Sequence, residues 1–107
     1  MKGKAYVVAG FCGFDATVVS EADDPFGKAT VSIETECPNL KKLGTSFQVN
    51  IMDVVQKGCT SKTFKKVVSV IPVMHCPCPV TYAVFQTTKI AAGLALPKDV
   101  TLGLSKE

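Results

Sequence analysis

Two thiols and the only histidine of the chain lie within six residues, Met74-His75-Cys76-Pro77-Cys78-Pro79. Thiolate and imidazole are ligands for zinc and for iron–sulfur clusters, and a thiolate is also the nucleophile of thiol–disulfide exchange. Three further cysteines bring the total to five in 107 residues: Cys12, Cys37 and Cys59. The segment therefore predicts a metal or redox site. The Cys-x-Cys spacing alone is a weak signal, because zinc knuckles usually have two residues between their cysteines.

Length and composition limit the classes of protein to consider. A chain of 107 residues with 47% apolar content is expected to form one α+β domain, residues 1–107, around a single core. No run of eighteen apolar residues occurs, and the start of the chain does not resemble a signal peptide. We therefore expect a cytoplasmic protein without a membrane partner.

The basic residues argue against a nucleic-acid partner. The chain has twelve lysines and nine acidic residues, but no arginine. Arginine is the residue that most often forms bidentate hydrogen bonds with guanine edges. The lysines are also dispersed along the chain. An odd number of cysteines argues against a fully paired disulfide framework, so metal binding, redox chemistry or simple burial remain as their roles.

Three strands are predicted in the first third of the chain, at residues 4–9, 15–21 and 29–34. The third has the cleanest alternation, with Ala29, Val31 and Ile33 on one face. Turn residues separate the strands, which predicts an antiparallel meander.

Helices are predicted after the meander. Pro38 and Gly44 would begin and end a short one, and residues 51–55 suggest one or two helical turns. Ser61 is a candidate cap for a helix that ends at Pro72, and Pro79 begins the most periodic helix, which ends near Gly93. Residues 100–104 predict a last short strand. Three antiparallel strands followed by helices is an α+β arrangement.

The meander would bring distant cysteines together, because the start of the second strand and the end of the third lie at the same end of an antiparallel sheet. Cys12 and Cys37 belong to that end, and Cys37, Cys76 and Cys78 precede predicted helices, whose amino termini favour thiolate. We therefore expect a shared site of Cys12, Cys37 and Cys76.

The other candidates have two interpretations each. His75 is either a ligand or a hydrogen-bond donor to one, and Cys78 is either a fourth ligand or a resolving thiol. Cys59 is expected to be inert, because a single cysteine is more often a small buried apolar residue.

The residues Pro72-Val73-Met74-His75-Cys76 and the helix after them resemble the iron–sulfur cluster scaffold proteins of the IscU/NifU type. The resemblance implies a SufE/NifU-type fold with cysteines at three positions, which Cys12, Cys37 and Cys76 match in order. It also implies a bound cluster and a protein that donates or accepts the cluster or its sulfur. Phe14 stands where that family has an aspartate, and Cys78 is additional.

A second resemblance covers nearly the whole chain. It is to a small uncharacterised family of anaerobe and archaeal proteins that share Cys-Gly-Phe near the start and the stretch from Gly93 to Val100. This resemblance implies no known activity.

Three functions follow from these observations. The leading one is a metal-binding or iron–sulfur protein, a scaffold or carrier rather than an enzyme, with zinc or a cluster held by Cys12, Cys37, Cys76, Cys78 and His75. The second is thiol redox or sulfur transfer by Cys76 and Cys78. The third is a small interaction module with inert cysteines, acting as a homodimer.

Overall fold

The computed structural model describes residues 1–8, 13–72 and 78–106. One antiparallel sheet contains four strands in chain order: β1 (Lys2–Val8), β2 (Asp15–Ala22), β3 (Lys28–Thr35) and β4 (Ser46–Asn50). Three helices follow: α1 (Ile51–Lys57), α2 (Lys62–Val68) and α3 (Pro79–Ala91). The predicted α+β class is confirmed, and the sheet has a fourth strand that the predicted three-strand meander lacked.

The sheet has one face under the helices and one open face. On β2 the buried residues alternate as Ala16, Val18, Ser20 and Ala22. The register places Ala16 opposite Thr35 of β3 and Ser20 opposite Gly3 of β1, so these residues share the helix face. The alternation of apolar and polar residues is what an antiparallel sheet with one solvated face requires.

The predicted elements around the fourth strand need correction. The short helix expected after Pro38 is a single 3₁₀ turn at Leu40–Leu43. β4 then pairs with β3, and its Phe47 and Val49 are buried on the helix face. These two side chains supply the apolar contact that makes a five-residue strand stable in this position.

Side-chain caps begin the two shorter helices. The Asn50 amide oxygen accepts a hydrogen bond from the Asp53 amide at the start of α1, at 3.1 Å. The predicted cap at Ser61 is confirmed, because its hydroxyl accepts from the Phe64 amide at 3.0 Å. The Asp53 carboxylate also accepts from the Lys62 amide at 3.0 Å. Each bond satisfies a backbone donor that has no partner inside the helix.

α3 lies across β1 and β2. Its carboxyl end closes with Gly93 at a φ of +77°, and the amides of Gly93 and Leu94 donate to the carbonyls of Ile90 and Lys89. These are the two bonds of a Schellman motif, which favours glycine because of the left-handed backbone. Gly93 therefore ends the helix near the predicted position.

A large buried cluster and a small one form the core. The large one lies between the sheet and the helices and includes Ala16, Cys37, Leu40, Val80 and Val84. The small one consists of Ala22, Ala29, Ile51, Ala91 and Ala92. Within the described residues, no helix is long and apolar enough to cross a membrane.

The chain after α3 is not a strand. The predicted strand at residues 100–104 is wrong, since these residues are exposed and pair with nothing in the described parts of the sheet.

Candidate functional site

One end of the sheet carries the described cysteines that contact the core. β1 finishes there at Val8, β2 begins at Asp15 and β3 finishes at Thr35, and we call this the thiol end. The opposite end, where Ala22 of β2 pairs with Ala29 of β3, is called the hairpin end.

Cys37 is a buried continuation of β3. It lies two residues beyond Thr35, and its side chain is 8% exposed within the large core cluster. Its amide donates to the Thr35 hydroxyl at 3.2 Å, and that hydroxyl donates to the Asp15 carbonyl at 2.8 Å. The Lys41 amide donates to the Cys37 carbonyl at 3.1 Å. These bonds hold the backbone of Cys37 on both sides, so its thiol has a defined position.

Cys78 is the residue that immediately precedes α3. Its carbonyl accepts from the Thr81 amide at 3.0 Å, and Pro79 is the first helical residue, as the sequence predicted. The side chain is partly exposed and packs against the large core cluster to which Cys37 belongs. Two cysteines that are far apart in the chain thus contact the same cluster of buried residues.

Contacts along α3 explain why its amino terminus lies at the thiol end. The Thr87 hydroxyl is 2.8 Å from that of Ser20, and Ala91 packs with Ala22 in the small cluster. Going back from Thr87 to Val80 covers about 10 Å of helix. Going from Ser20 to Ala16 covers about 13 Å of strand in the same direction. Val80, the residue after Pro79, therefore lies at the same end of the sheet as Ala16, and both belong to the large cluster.

The other predicted ligands do not add to this pair in the described residues. Cys12, His75 and Cys76 lie outside them. Cys59 is an exposed free thiol on a 3₁₀ turn, Gly58–Thr60, and it belongs to neither core cluster. Among residues 1–8, 13–72 and 78–106, no three histidine, cysteine or acidic side chains are grouped closely enough to hold a metal ion.

A buried hydroxyl that has no partner among the described residues lies one helical turn from Cys78. Thr81 is 6% exposed, and within the described chain its Oγ1 atom has no hydrogen-bond partner. Leaving such a group unpaired costs about 1–3 kcal/mol, so native proteins rarely do so without a reason. The sequence carried no signal for this residue, because threonine at a helical spacing from Val84 and Thr88 fits an ordinary buried position.

On the open face of the same end, the described residues include several acidic ones. A groove of about 250 Å³ there is lined by Tyr6, Asp15, Glu34 and Glu36, together with Ala16, Thr17 and Thr35. The Tyr6 hydroxyl donates to the Asp15 carboxylate at 2.9 Å. That hydrogen bond and the negative charge of Asp15, with a smaller effect of desolvation, raise the pKa of Tyr6 above 10.0. The Asp15 carboxylate and Cys37 thus lie on opposite faces.

A comparison with protein families gives a match along nearly the whole chain. A model described as a family of unknown function, DUF6951, matches residues 3–104. The chain belongs to the DUF6951 family. No curated protein and no solved structure matches this DUF6951 chain.

Membership of DUF6951 corrects the resemblance to IscU/NifU scaffolds, which is wrong. The family match spans nearly the whole chain, and the described residues contain no cysteine cluster for a metal. The resemblance rested on a His-Cys pair and three cysteine positions in a common type of fold, and fold does not determine function. What the DUF6951 structure adds is the thiol end, where Cys37 and Cys78 contact one cluster.

Proposed function

We propose that this protein binds a metal ion or an iron–sulfur cluster with thiolates at the thiol end. The observation that carries the proposal is the contact of Cys37 and Cys78 with the same core cluster, although they are far apart in the chain. The other candidate ligands are close to this region in the sequence. Cys12 directly precedes Gly13, and Cys76, which follows His75, is two residues before Cys78.

The donor set fits a soft metal. Thiolates and an imidazole are the ligands of tetrahedral zinc sites and of iron–sulfur clusters. Cys12, Cys37, Cys76 and Cys78 would supply four thiolates, and His75 would replace one of them or orient it by a hydrogen bond. The burial of Cys37 excludes water from one side of the site, which favours a resident, structural ion over one that is readily released.

The Thr81 hydroxyl supports the same proposal. It is a buried donor without an acceptor among the described residues, three residues beyond Cys78. A thiolate nearby would provide the missing acceptor, and hydrogen bonds to metal-bound sulfur are a usual way of stabilising its negative charge. In this proposal Thr81 orients a ligand and does not bind the metal itself.

Elemental analysis tests the proposal directly. The full-length protein, purified without oxygen, is expected to contain about one equivalent of zinc or one cluster's iron per chain. Cys37→Ala and Cys78→Ala should lose most of the metal, whereas the control Cys59→Ala should keep it, because Cys59 is exposed and outside both core clusters. Circular dichroism establishes that each variant is folded.

Cobalt provides a second measurement that does not depend on the metal acquired during expression. Cobalt added to metal-free protein should give thiolate-to-metal absorption in the parent chain and in Cys59→Ala, and less of it in Cys37→Ala. A folded parent protein that is metal-free, binds no cobalt and has five titratable thiols would rule out the metal proposal.

Thiol redox or sulfur transfer is the second candidate, favoured by the position of Cys78. Its partly exposed side chain lies at the amino terminus of a 13-residue helix, where the helix dipole favours thiolate. One thiolate would attack a disulfide and release the second sulfur of that disulfide as a thiolate. The neighbouring thiolate of Cys76 or Cys78 would then attack the mixed disulfide and expel the reduced partner.

The two candidates differ in their response to a thiol reagent. In the redox case, metal-free protein should contain one thiol that reacts much faster at neutral pH than Cys59, and Cys78→Ala or Cys76→Ala should abolish that fast phase. Uniformly slow thiols would exclude the redox candidate without affecting the metal proposal.

A further inference from the structure

The segment after α3 carries an apolar stripe that its own fold leaves exposed. Residues 96–106 are exposed throughout. Val100, Leu102 and Leu104 alternate with Thr101, Gly103 and Ser105, and their side chains are 66%, 79% and 86% exposed. Alternation of this kind is typical of a strand with one buried face. We call residues 98–106 the tail.

The sheet has an open edge that fits such a strand. β1 lies at one end of the strand order and pairs only with β2, so the other side of its backbone has no strand partner in the described chain. The edge is seven residues long and contains no proline. Long unpaired edges with free backbone groups favour the addition of another strand.

The helix face next to this edge is incompletely covered. Ala5 and Val7 of β1 are only half-buried, although they pack against the large core cluster. Phe85 of α3 contacts Phe64 of α2, with 6.1 Å between ring centroids. Ile90 lies about 140° around α3 from Phe85, on the flank away from α2, and it too is half-buried. An added strand would cover the side chains of Ala5, Val7 and Ile90.

The tail does not use the edge of its own chain. After Gly93, which lies beside Met1, the chain bends at Leu94 and Ala95, and Pro97 cannot donate to a strand ladder. Residues 98–106 are then exposed and pair with no described strand, so the tail and the β1 edge of one chain are not paired with each other.

We propose that the tail pairs with the β1 edge of a second copy of this chain. Reciprocal exchange makes a two-fold symmetric dimer in which both β1 edges are paired and Leu102 of each tail lies against Ala5 and Val7 of the other copy. The proposal rests on the tail and the β1 edge and does not depend on the proposed function.

Sedimentation equilibrium of the full-length protein tests the proposal with a matched pair of variants. The parent chain and Thr101→Lys should sediment at twice the chain mass, because Thr101 faces away from the contact. Leu102→Lys should weaken the dimer by about a hundredfold or more, since it removes an apolar contact from each of the two exchanged strands. Both positions are exposed in the single chain, so the fold of the monomer is not at risk.

Nuclear Overhauser contacts identify which chain the tail pairs with. In a mixture of isotope-labelled and unlabelled protein, contacts between residues of the tail and of β1 should appear between chains. A parent protein that is monomeric at millimolar concentration, equal weakening by the two lysine variants, or contacts only within one chain would overturn the proposal.

Discussion

The two ends of the sheet are closed by different means. At the hairpin end, alanines from β2, β3 and α3 pack in one small cluster with Ile51, and the amino-terminal ammonium group donates to the Ala22 carbonyl at 2.7 Å. At the thiol end the corresponding positions hold Cys37 and Cys78, and a buried threonine hydroxyl lacks a partner within the described chain. Small side chains and satisfied polar groups characterise the first end, whereas the second has soft donors and a hydroxyl with no partner among the described residues. The difference indicates that the hairpin end serves stability and that the thiol end is the better candidate for a binding site.

The largest expected effect concerns the close approach of α3 to the sheet. A Cβ atom at Gly3 would overlap the backbone carbonyl oxygen of Thr87. Gly3→Ala should therefore lower the free energy of unfolding by about 2 to 3 kcal/mol, because neither backbone can move without disturbing the core. Urea denaturation measures the loss. Gly103→Ala is the control, since nothing lies within 4 Å of its added methyl group. Equal midpoints for both variants would contradict the observed packing.

A smaller effect is expected from the cysteines when no metal is present. Cys37→Ala should lower the free energy of unfolding of metal-free protein by about 1 to 2 kcal/mol, because it leaves a cavity in the large core cluster. Cys59→Ala should change it little, because that thiol is exposed. Chemical denaturation in the presence of a chelator measures both variants. Added metal should raise the free energy of unfolding of the parent protein and of Cys59→Ala, but not that of Cys37→Ala. This result would support a metal site at the thiol end.

Two threonines of α3 provide a matched test of buried hydroxyl groups. The Thr88 hydroxyl donates to the Val84 carbonyl at 2.8 Å, whereas Thr81 has no partner in the described chain. Thr88→Val should cost about 1 kcal/mol, and Thr81→Val should be neutral or stabilising by about 1 kcal/mol in metal-free protein. Thermal unfolding followed by circular dichroism distinguishes these results. A clear loss of stability in metal-free Thr81→Val would mean that its hydroxyl is satisfied in solution.

The smallest effect is a titration on the open face of the thiol end. The hydrogen bond from Tyr6 to Asp15 raises the pKa of the phenol above 10.0. The folded pKa then exceeds the unfolded one, so this contribution to stability is present below about pH 10 and is lost as the pH rises through the folded value. It is small, because Tyr6 is 66% exposed.

Ultraviolet absorbance in a Tyr82→Phe background follows the ionisation of Tyr6 alone. Asp15→Asn should lower the pKa of Tyr6 by removing the negative acceptor, whereas Glu34→Gln should leave it in place, because Glu34 lines the same groove without bonding to the phenol. An unchanged titration in Asp15→Asn would show that the hydrogen bond does not form in solution.

Local signals were enough for much of the fold. The first three strands, the cap at Ser61, Pro79 at the start of α3 and Gly93 at its end all follow from turn, cap and periodicity rules that act over a few residues. The short segment 46–50 also alternates, but its identity as a strand depends on pairing with β3 and on the burial of Phe47 and Val49. The tail alternates equally well and is not a strand in the single chain, because no described strand lies beside it.

The candidate site was predictable only in part. The meander predicted that Cys37 belongs to one end of the sheet, and the alternation of β3, continued through Thr35 to Cys37, contains the information that its side chain faces the core. The approach of Cys78 to the same cluster depends on where α3 crosses the sheet, which is set by Gly3, Ser20 and Thr87. The prediction of a known scaffold family was wrong, since a few cysteine positions are weaker information than a match along the chain.

By itself the sequence determined the strands and helices that short-range chemistry encodes, and it made the cysteines the candidates for binding a soft metal. Tertiary structure decided which elements meet: α3 crosses β1 and β2 where Gly3 admits its backbone, and this contact directs its amino terminus and Cys78 to the thiol end. It also left the Thr81 hydroxyl and the edge of β1 without partners in the described chain. The physical reason is that local propensities extend over a few residues, whereas close packing and hydrogen-bond satisfaction depend on groups that the fold brings from distant parts of the chain.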